Sequence, residues 1–153
     1  MINMLNWIDI PPSWLTFFLA VAWVQAEALP LGLNVSLIWV DLAAGLLVGC
    51  GVILIALAAF EMRRHKTTIL PHSEADRLVQ SGVFSRSRNP IYLGDFLILA
   101  GMILYWDAVL ALLLIPIFVW VIERRFVLPE EERLRRKFRL EFAHYEKKVR
   151  RWM

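Results

Sequence analysis

Basic residues are distributed so unevenly along this chain that their positions constrain its fold more than any other feature. Residues 1–60 contain no lysine or arginine, and all seventeen such residues lie between Arg63 and Arg88 or between Arg124 and Arg151. Each basic block adjoins a long apolar run. Because short loops rich in lysine and arginine stay on the cytoplasmic side of a membrane, we expect both blocks there. The pattern predicts a polytopic membrane protein.

The composition supports a single membrane domain. Hydrophobic residues make up 59% of the 153 residues, which is above the usual share for a soluble domain. The mean hydropathy is +0.56. We expect one domain over residues 1–153, with two spans in residues 1–60 and the functional part in residues 61–153. Although the chain is basic overall, its charge adjoins apolar spans. Anionic lipid headgroups are therefore the expected partners of the basic blocks, and nucleic acid is not.

Four apolar runs predict an all-α fold with about four transmembrane helices. The first two, Trp14–Leu33 and Ile38–Phe60, are each long enough for a bilayer core that needs ~20 helical residues, and residues 32–36 form the turn between them. Ile91–Tyr105 and Ala108–Val121 are shorter and predict a tight C-terminal helical hairpin, with Pro116 kinking its second arm. This count places both termini in the cytoplasm. We expect the small-residue pair Gly45 and Gly49 to pack inside the monomer.

The C-terminal region predicts an amphipathic helix. Pro129 suits the first turn of a new helix, and acidic residues directly after it favour the positive N-terminal end. Arginine and lysine occupy the remaining faces, so the helix is expected to lie along the cytoplasmic interface. Its apolar residues recur every three or four positions and form one stripe over about six turns: Leu134, Phe138, Phe142, Tyr145, Val149 and Trp152.

Two polar motifs flank the predicted hairpin. The first consists of the turn Ser81-Gly-Val-Phe84 and the pentapeptide Arg88-Asn-Pro-Ile-Tyr92, and the second is Pro129-Glu-Glu-Glu132. Because the two arms of a hairpin begin and end at the same membrane face, both motifs are expected at the cytoplasmic face. Each also has an ordinary structural explanation. Acidic residues stabilise a helix start, and Arg-Asn-Pro is common where a membrane span begins.

The order and spacing of the motifs resemble those of the isoprenylcysteine carboxyl methyltransferase and phospholipid methyltransferase superfamily, over roughly residues 68–152. Members carry Arg-His-Pro-x-Tyr or Arg-Asn-Pro-x-Tyr after a Ser-Gly-x-aromatic turn. They also carry a Glu-Glu pair eight and seven residues before a Phe, and counting back from Phe138 gives Glu130 and Glu131. The resemblance implies an integral membrane methyltransferase that binds S-adenosyl-L-methionine and methylates a lipophilic acceptor at the cytoplasmic face.

The resemblance also implies the site residues. Asp95 and Glu131 are the candidates for accepting a proton from an amine acceptor, which must be deprotonated before methylation. Arg125, or Arg124, is a candidate clamp for a carboxylate acceptor, although both fit equally well as membrane-edge anchors. The candidate cofactor-binding residues flank these positions: Asp76, Arg77, Leu78, Val79, Phe84, Asn89, Pro90, Ile91, Tyr92 and Glu130.

The sequence departs from the family pattern at several positions, and two of these departures bear on the acceptor. Asn89 stands where prenylcysteine enzymes carry His, and Phe126 stands where they carry a substrate-binding Arg. Arg139 replaces the usual Gly after Phe138. The first two favour a lipid amine or another small lipophilic acceptor over a prenylated protein.

Several functions remain open from the sequence. The leading prediction is methyl transfer of the isoprenylcysteine methyltransferase type, and the first alternative is phosphatidylethanolamine N-methylation. A membrane reductase using NADPH shares the C-terminal architecture, and a non-catalytic membrane interaction protein is a third possibility. The histidines lack metal-ligand spacing, so no metal is expected. The predicted location is the membrane, the cytoplasmic membrane in a bacterium, and the oligomeric state stays open.

Overall fold

A computed structural model of the protein describes residues 9–29, 37–67 and 77–153, and these residues are helical without strands. The predicted turn over residues 32–36 and the candidate residue Asp76 lie outside the described residues. Short 3₁₀ helices cover Gly82–Ser85 and Val109–Leu113, and a π-helical segment covers Glu123–Val127. The five α-helices are α1 (Pro11–Ala28), α2 (Ile38–Arg64), α3 (Pro90–Tyr105), α4 (Leu114–Ile122) and α5 (Leu128–Lys148).

Helix α2 is the one helix in the described residues that is long and apolar enough to cross a membrane, with a mean hydropathy of 2.6 over its most apolar window. Helix α3 is apolar but has only 16 residues. The all-helical prediction is confirmed. Four membrane crossings and their orientation stay a prediction, because length and composition single out only α2.

Helices α2 and α3 pack through glycines, but not the pair expected from the sequence. A Cβ atom added at Gly94 would lie 2.5 Å from the Ile55 side chain and 2.8 Å from the carbonyl oxygen of Gly51. Around Gly45 and Gly49, by contrast, such an atom would meet nothing within 4 Å among the described residues. The expectation that these two glycines pack inside the monomer is wrong, because α2 turns a different face toward α3.

Helix α1 packs against α3 and the second arm of the hairpin. Phe18 of α1 and Phe118 of α4 meet edge to face, with ring centroids 5.2 Å apart. The polar residue Gln25 in the apolar helix α1 links it to the hairpin, because Gln25 Oε1 accepts a hydrogen bond of 3.0 Å from the backbone N–H of Ala111. The largest buried side chains of this region include Leu99, Ile103, Phe118, Ile122 and Phe126.

The second arm of the hairpin departs from the predicted helix pair. Val109–Leu113 is a 3₁₀ helix, and Pro116 lies in the first turn of α4, where the missing N–H costs little. Pro129 lies in the first turn of α5, as predicted, but the chain does not leave the helical conformation before it, because α4 continues through the π-helical segment into α5. A proline ring clashes with the carbonyl four residues earlier, here that of Arg125, and the wider π turn covers that residue.

Helix α5 is not the single straight helix that the apolar stripe predicted. It breaks at Arg139, whose φ is 38° and ψ is −105°. Arg135 Nη2 consequently lies 2.9 Å from Glu146 Oε2, whereas in a straight helix their backbones would be about 16 Å apart along the axis. Burial of the stripe residues Phe142, Tyr145 and Val149 is confirmed, although Val149 already has extended backbone.

We expect Arg139→Gly to stabilise the protein by about 1 kcal/mol, because glycine adopts positive φ without the steric cost that arginine bears. An apparent melting temperature in detergent, compared with the parent at one scan rate, measures the effect. The matched control is Arg136→Gly, at an exposed position of regular helix, which should lose about 1 kcal/mol. Equal losses in both variants would contradict this account of the break.

Candidate active site

The turn of the first motif is fastened to the end of α2. Ser81 Oγ donates a 2.5 Å hydrogen bond to Glu61 Oε1, and His65 Nε2 lies 2.8 Å from the same hydroxyl. Gly82 has a φ of 58°, and a Cβ there would lie 3.1 Å from the Glu61 carboxyl group. The turn therefore requires glycine, both for its backbone conformation and for its approach to α2.

The C-terminal strap, defined here as Val149–Trp152, crosses the loop that leads into α3. The backbone N–H of Arg88 donates to the carbonyl of Arg150 at 3.1 Å. The Ser87 hydroxyl and the Asn89 side-chain amide both donate to the carbonyl of Arg151, each at 3.2 Å. These bonds occupy the amide nitrogen of Asn89 and bury the residue next to the start of α3.

An ion cluster joins this loop to the second motif. Glu131, whose side chain is 6% exposed, lies 3.3 Å from Arg88 Nη2. Arg151 donates to both oxygens of the same carboxylate, at 3.1 and 2.8 Å, and its Nη1 lies 2.5 Å from Glu123. The carboxylate of Glu131 is thus held between two guanidinium groups, a strong type of charge-assisted bond.

The two motifs meet at Tyr92 and Glu130. The Tyr92 hydroxyl donates to Glu130 Oε2 at 3.0 Å, across 38 positions of sequence. Tyr92 is buried and its ring lies 6.4 Å from that of Phe126, whereas Glu130 is partly exposed. A carboxylate with access to solvent therefore lies at the end of the apolar hairpin.

An apolar cavity of about 170 Å³ opens beside the same tyrosine. Carbon atoms line nearly all of it, so it suits a hydrocarbon group rather than a polar one. The cavity lies between α3, α4 and the C-terminal strap, and its walls are Tyr92, Leu93, Phe96, Phe118, Val119, Ile122 and Trp152.

The three candidate catalytic residues occupy different surroundings. Asp95 is 5% exposed and lies one turn beyond Tyr92, and its Oδ2 has no hydrogen-bond partner within the described ranges. Glu131 is engaged by the ion cluster described above. Arg125 is 52% exposed, donates to Asp9 at 2.6 Å and stacks over the Trp14 ring at 5.4 Å.

The remaining candidate cofactor residues are spread around the two motifs. Leu78 packs against Phe142 and Tyr145, and Val79 is buried. The Tyr145 hydroxyl donates to the carbonyl of Phe84 at 2.6 Å, and burial raises the pKa of Tyr145, so the phenol stays protonated and keeps this bond. Pro90 is buried at the start of α3, Ile91 is partly buried and Arg77 is exposed.

Sequence reasoning named Glu131 but missed the other residues of the ion cluster and the role of the strap in the site. Arg88 belongs to the first motif but is not among the candidate site residues, and its burial is the signal that the sequence lacks. Its Nε and Nη1 atoms are buried and make no hydrogen bond to any described residue, while Nη1 lies 3.8 Å from Glu146. Arg151 and Trp152 fall inside the predicted helix, where Trp152 ends the apolar stripe, but the structure ends α5 at Lys148 and places both residues in the strap.

The helical fold and the site together define a class of protein, a helical membrane protein that places a carboxylate beside an apolar cavity. The family model described as phospholipid methyltransferase matches residues 39–141, more than half of the chain, so the chain belongs to that family and to the superfamily that includes the isoprenylcysteine enzymes. No curated protein and no solved structure matches it significantly. Members are S-adenosylmethionine-dependent methyltransferases, which confirms the predicted enzyme class over the reductase and non-catalytic alternatives.

Proposed function

We propose that the protein methylates the amine headgroup of a phospholipid of the phosphatidylethanolamine type at the cytoplasmic face of the membrane. The observation that carries the proposal is the double role of Tyr92. Its ring lines the apolar cavity, and its hydroxyl binds the carboxylate of Glu130. A polar donor site and an apolar acceptor site are therefore adjacent, as methyl transfer between a soluble donor and a lipid requires.

The residues of the site fit S-adenosylmethionine. Glu130 complements a positively charged ligand. Arg88 is a cation suited to a ligand carboxylate, because its buried Nε and Nη1 atoms make no hydrogen bond to any residue that the structure describes. When bound, the cofactor supplies an electrophilic methyl group on a sulfonium sulfur. Tyr92 orients Glu130 through its hydrogen bond, and α3 holds Tyr92 in place. These residues act by positioning, which can supply most of the rate of an in-line transfer.

The cavity and the charges around it support the proposed acceptor class. The amine of an ethanolamine headgroup must lose a proton before it attacks the methyl group, and we propose that Asp95 accepts this proton. Glu131 is less suited because Arg88 and Arg151 hold its carboxylate. A carboxylate acceptor of the prenylcysteine type would need a cationic clamp, and Arg125 would have to leave Asp9 to provide one.

We expect the purified protein to bind S-adenosylhomocysteine and to transfer label from S-adenosylmethionine to phosphatidylethanolamine. Glu130→Gln should weaken binding by about 2 kcal/mol, since it removes the charge but keeps the shape of the side chain. Calorimetry in detergent measures the binding. The matched control is Glu132→Gln, two positions along, whose side chain is exposed and pairs with Arg136.

Two results would contradict the proposal. Absence of cofactor binding by the parent protein, or equal binding by Glu130→Gln, would remove the donor site. Preferred methylation of a prenylcysteine analogue over phosphatidylethanolamine would leave the donor site intact but overturn the acceptor class, and would direct attention to Arg125.

A further inference from the structure

The C-terminal strap leaves α5 in extended conformation and returns to the site. Val149 has a φ of −121° and a ψ of 128°, so the helix ends before it and the next residues run along the loop Ser87–Asn89. Three hydrogen bonds from this loop reach the carbonyls of Arg150 and Arg151. The strap is therefore part of the folded site and not a loose end.

Arg151 ties the strap to both sides of the hairpin end. Its guanidinium contacts Glu123 in the π-helical segment and Glu131 in α5, while its carbonyl receives the bonds from Ser87 and Asn89. A hydrogen bond to Glu131 raises the pKa of Arg151, so the group stays charged. Because one residue makes all of these contacts, the position of the residue that follows it is closely defined.

That following residue is Trp152, which forms one wall of the apolar cavity opposite residues of α3 and α4. It also packs against the buried cluster that contains Tyr92 and Phe126. Trp152 carries the largest side chain of the cavity wall, and it comes from a segment that contributes no other wall. Its size therefore limits the width of the group that the cavity accepts.

We propose that Trp152 is a specificity-determining residue that contacts the hydrocarbon chain of the methyl acceptor and selects a straight acyl chain over a bulkier one, with Arg151 as the positioning residue that holds it. The proposal rests on the function proposed above, and names a determinant of its acceptor. A hydrocarbon chain is the suitable occupant because the cavity is lined almost entirely by carbon. The cavity wall includes Tyr92, whose hydroxyl binds Glu130, so the headgroup would lie at that end.

Photo-crosslinking in lipid nanodiscs tests this without requiring catalysis. One probe is phosphatidylethanolamine with a diazirine on the part of a straight acyl chain nearest the headgroup, and the other carries a branched isoprenoid chain with the same group at the matching position. Cleavage after glutamate releases a fragment that starts at Lys147 and contains the strap. We expect the straight-chain probe to label Trp152 in this fragment, and an excess of unlabelled phosphatidylethanolamine to suppress the label.

Variants of Trp152 test the selection between straight and branched chains separately from an effect on folding. Trp152→Ala should shift the ratio of branched to straight labelling by about tenfold toward the branched probe, a typical effect of removing apolar bulk from a pocket, and Trp152→Phe should shift it less. Trp120→Ala, at an exposed tryptophan of α4 outside the cavity, is the matched control and should leave the ratio unchanged. An unlabelled strap, or an unchanged ratio in both Trp152 variants, would overturn the proposal.

A failure of this inference can be told apart from a failure of the proposed function. Cofactor binding by the parent protein reports on the donor site alone, because it involves Glu130 and not the strap. If S-adenosylhomocysteine binds and the strap remains unlabelled, the inference is wrong and the donor site stands. If the strap is labelled but no cofactor binds, the binding site for the hydrocarbon chain stands and the proposed cofactor site is wrong.

Discussion

Gly94→Val should disrupt the contact between α2 and α3 and lower the apparent melting temperature by about 10 °C, corresponding to roughly 3 kcal/mol of overpacking. Even the first carbon of a side chain would lie 2.8 Å from the backbone carbonyl of Gly51, which cannot rotate away. The helices would have to separate, and α3 carries Tyr92 and has Asn89 at its N-cap. We therefore expect cofactor binding to fall together with stability.

The matched control for Gly94 is Gly45→Val on α2. It introduces the same side chain into a helix, but a Cβ at Gly45 meets nothing within 4 Å in the part of the chain that the structure describes. Valine is also a better helix former than glycine, so stability should be unchanged or slightly higher. A loss at Gly45 as large as that at Gly94 would contradict the helix pairing found here.

Glu131→Gln should destabilise the protein by about 3 kcal/mol, because it leaves the largely buried Arg88 beside Arg151 without the carboxylate that compensates both. Glutamine keeps the size of the side chain, so the loss reports on charge. Thermal unfolding in detergent measures the stability. Calorimetry with S-adenosylhomocysteine should show weaker binding as well, since Glu131 lies next to Glu130.

Glu132→Gln provides the control for this change. Glu132 also pairs with an arginine, Arg136, but both side chains are mostly exposed, and such surface pairs contribute little. A small effect at Glu132 and a large one at Glu131 would locate the energy in the buried cluster. Equal small effects would show that Arg88 and Arg151 find other partners, and that the cluster does not hold the motifs together.

Helix positions could be predicted wherever apolar runs are long. The run Ile38–Phe60 predicted α2, which the structure extends to Arg64, and the run Ile91–Tyr105 predicted α3 to within one residue. The 3₁₀ and π-helical turns around the prolines could not be predicted, because they depend on packing against α1 and α3. The break at Arg139 was concealed for another reason, since arginine stands where the family pattern has glycine.

The candidate site was partly predictable because motifs record residue types at fixed spacing. Tyr92 and Glu130 were named from their motifs, and the structure brings their side chains into contact. The strap could not be found in this way. Arg151 and Trp152 take part through the path of an extended segment, and nothing in a run of basic residues indicates which arginine turns inward.

The burial of the ion cluster divides the basic residues into two populations that respond differently to ionic strength. Arg88 and the partly exposed Arg151 share the buried carboxylate of Glu131, so dissolved ions screen their attraction less than that of a surface pair. The exposed side chains of Arg139, Lys147 and Lys148 face outward, where their attraction to anionic headgroups weakens as salt is added. We therefore expect added electrolyte to loosen the predicted contact of α5 with an anionic bilayer surface while the joined motifs stay intact, which would separate peripheral from integral attachment.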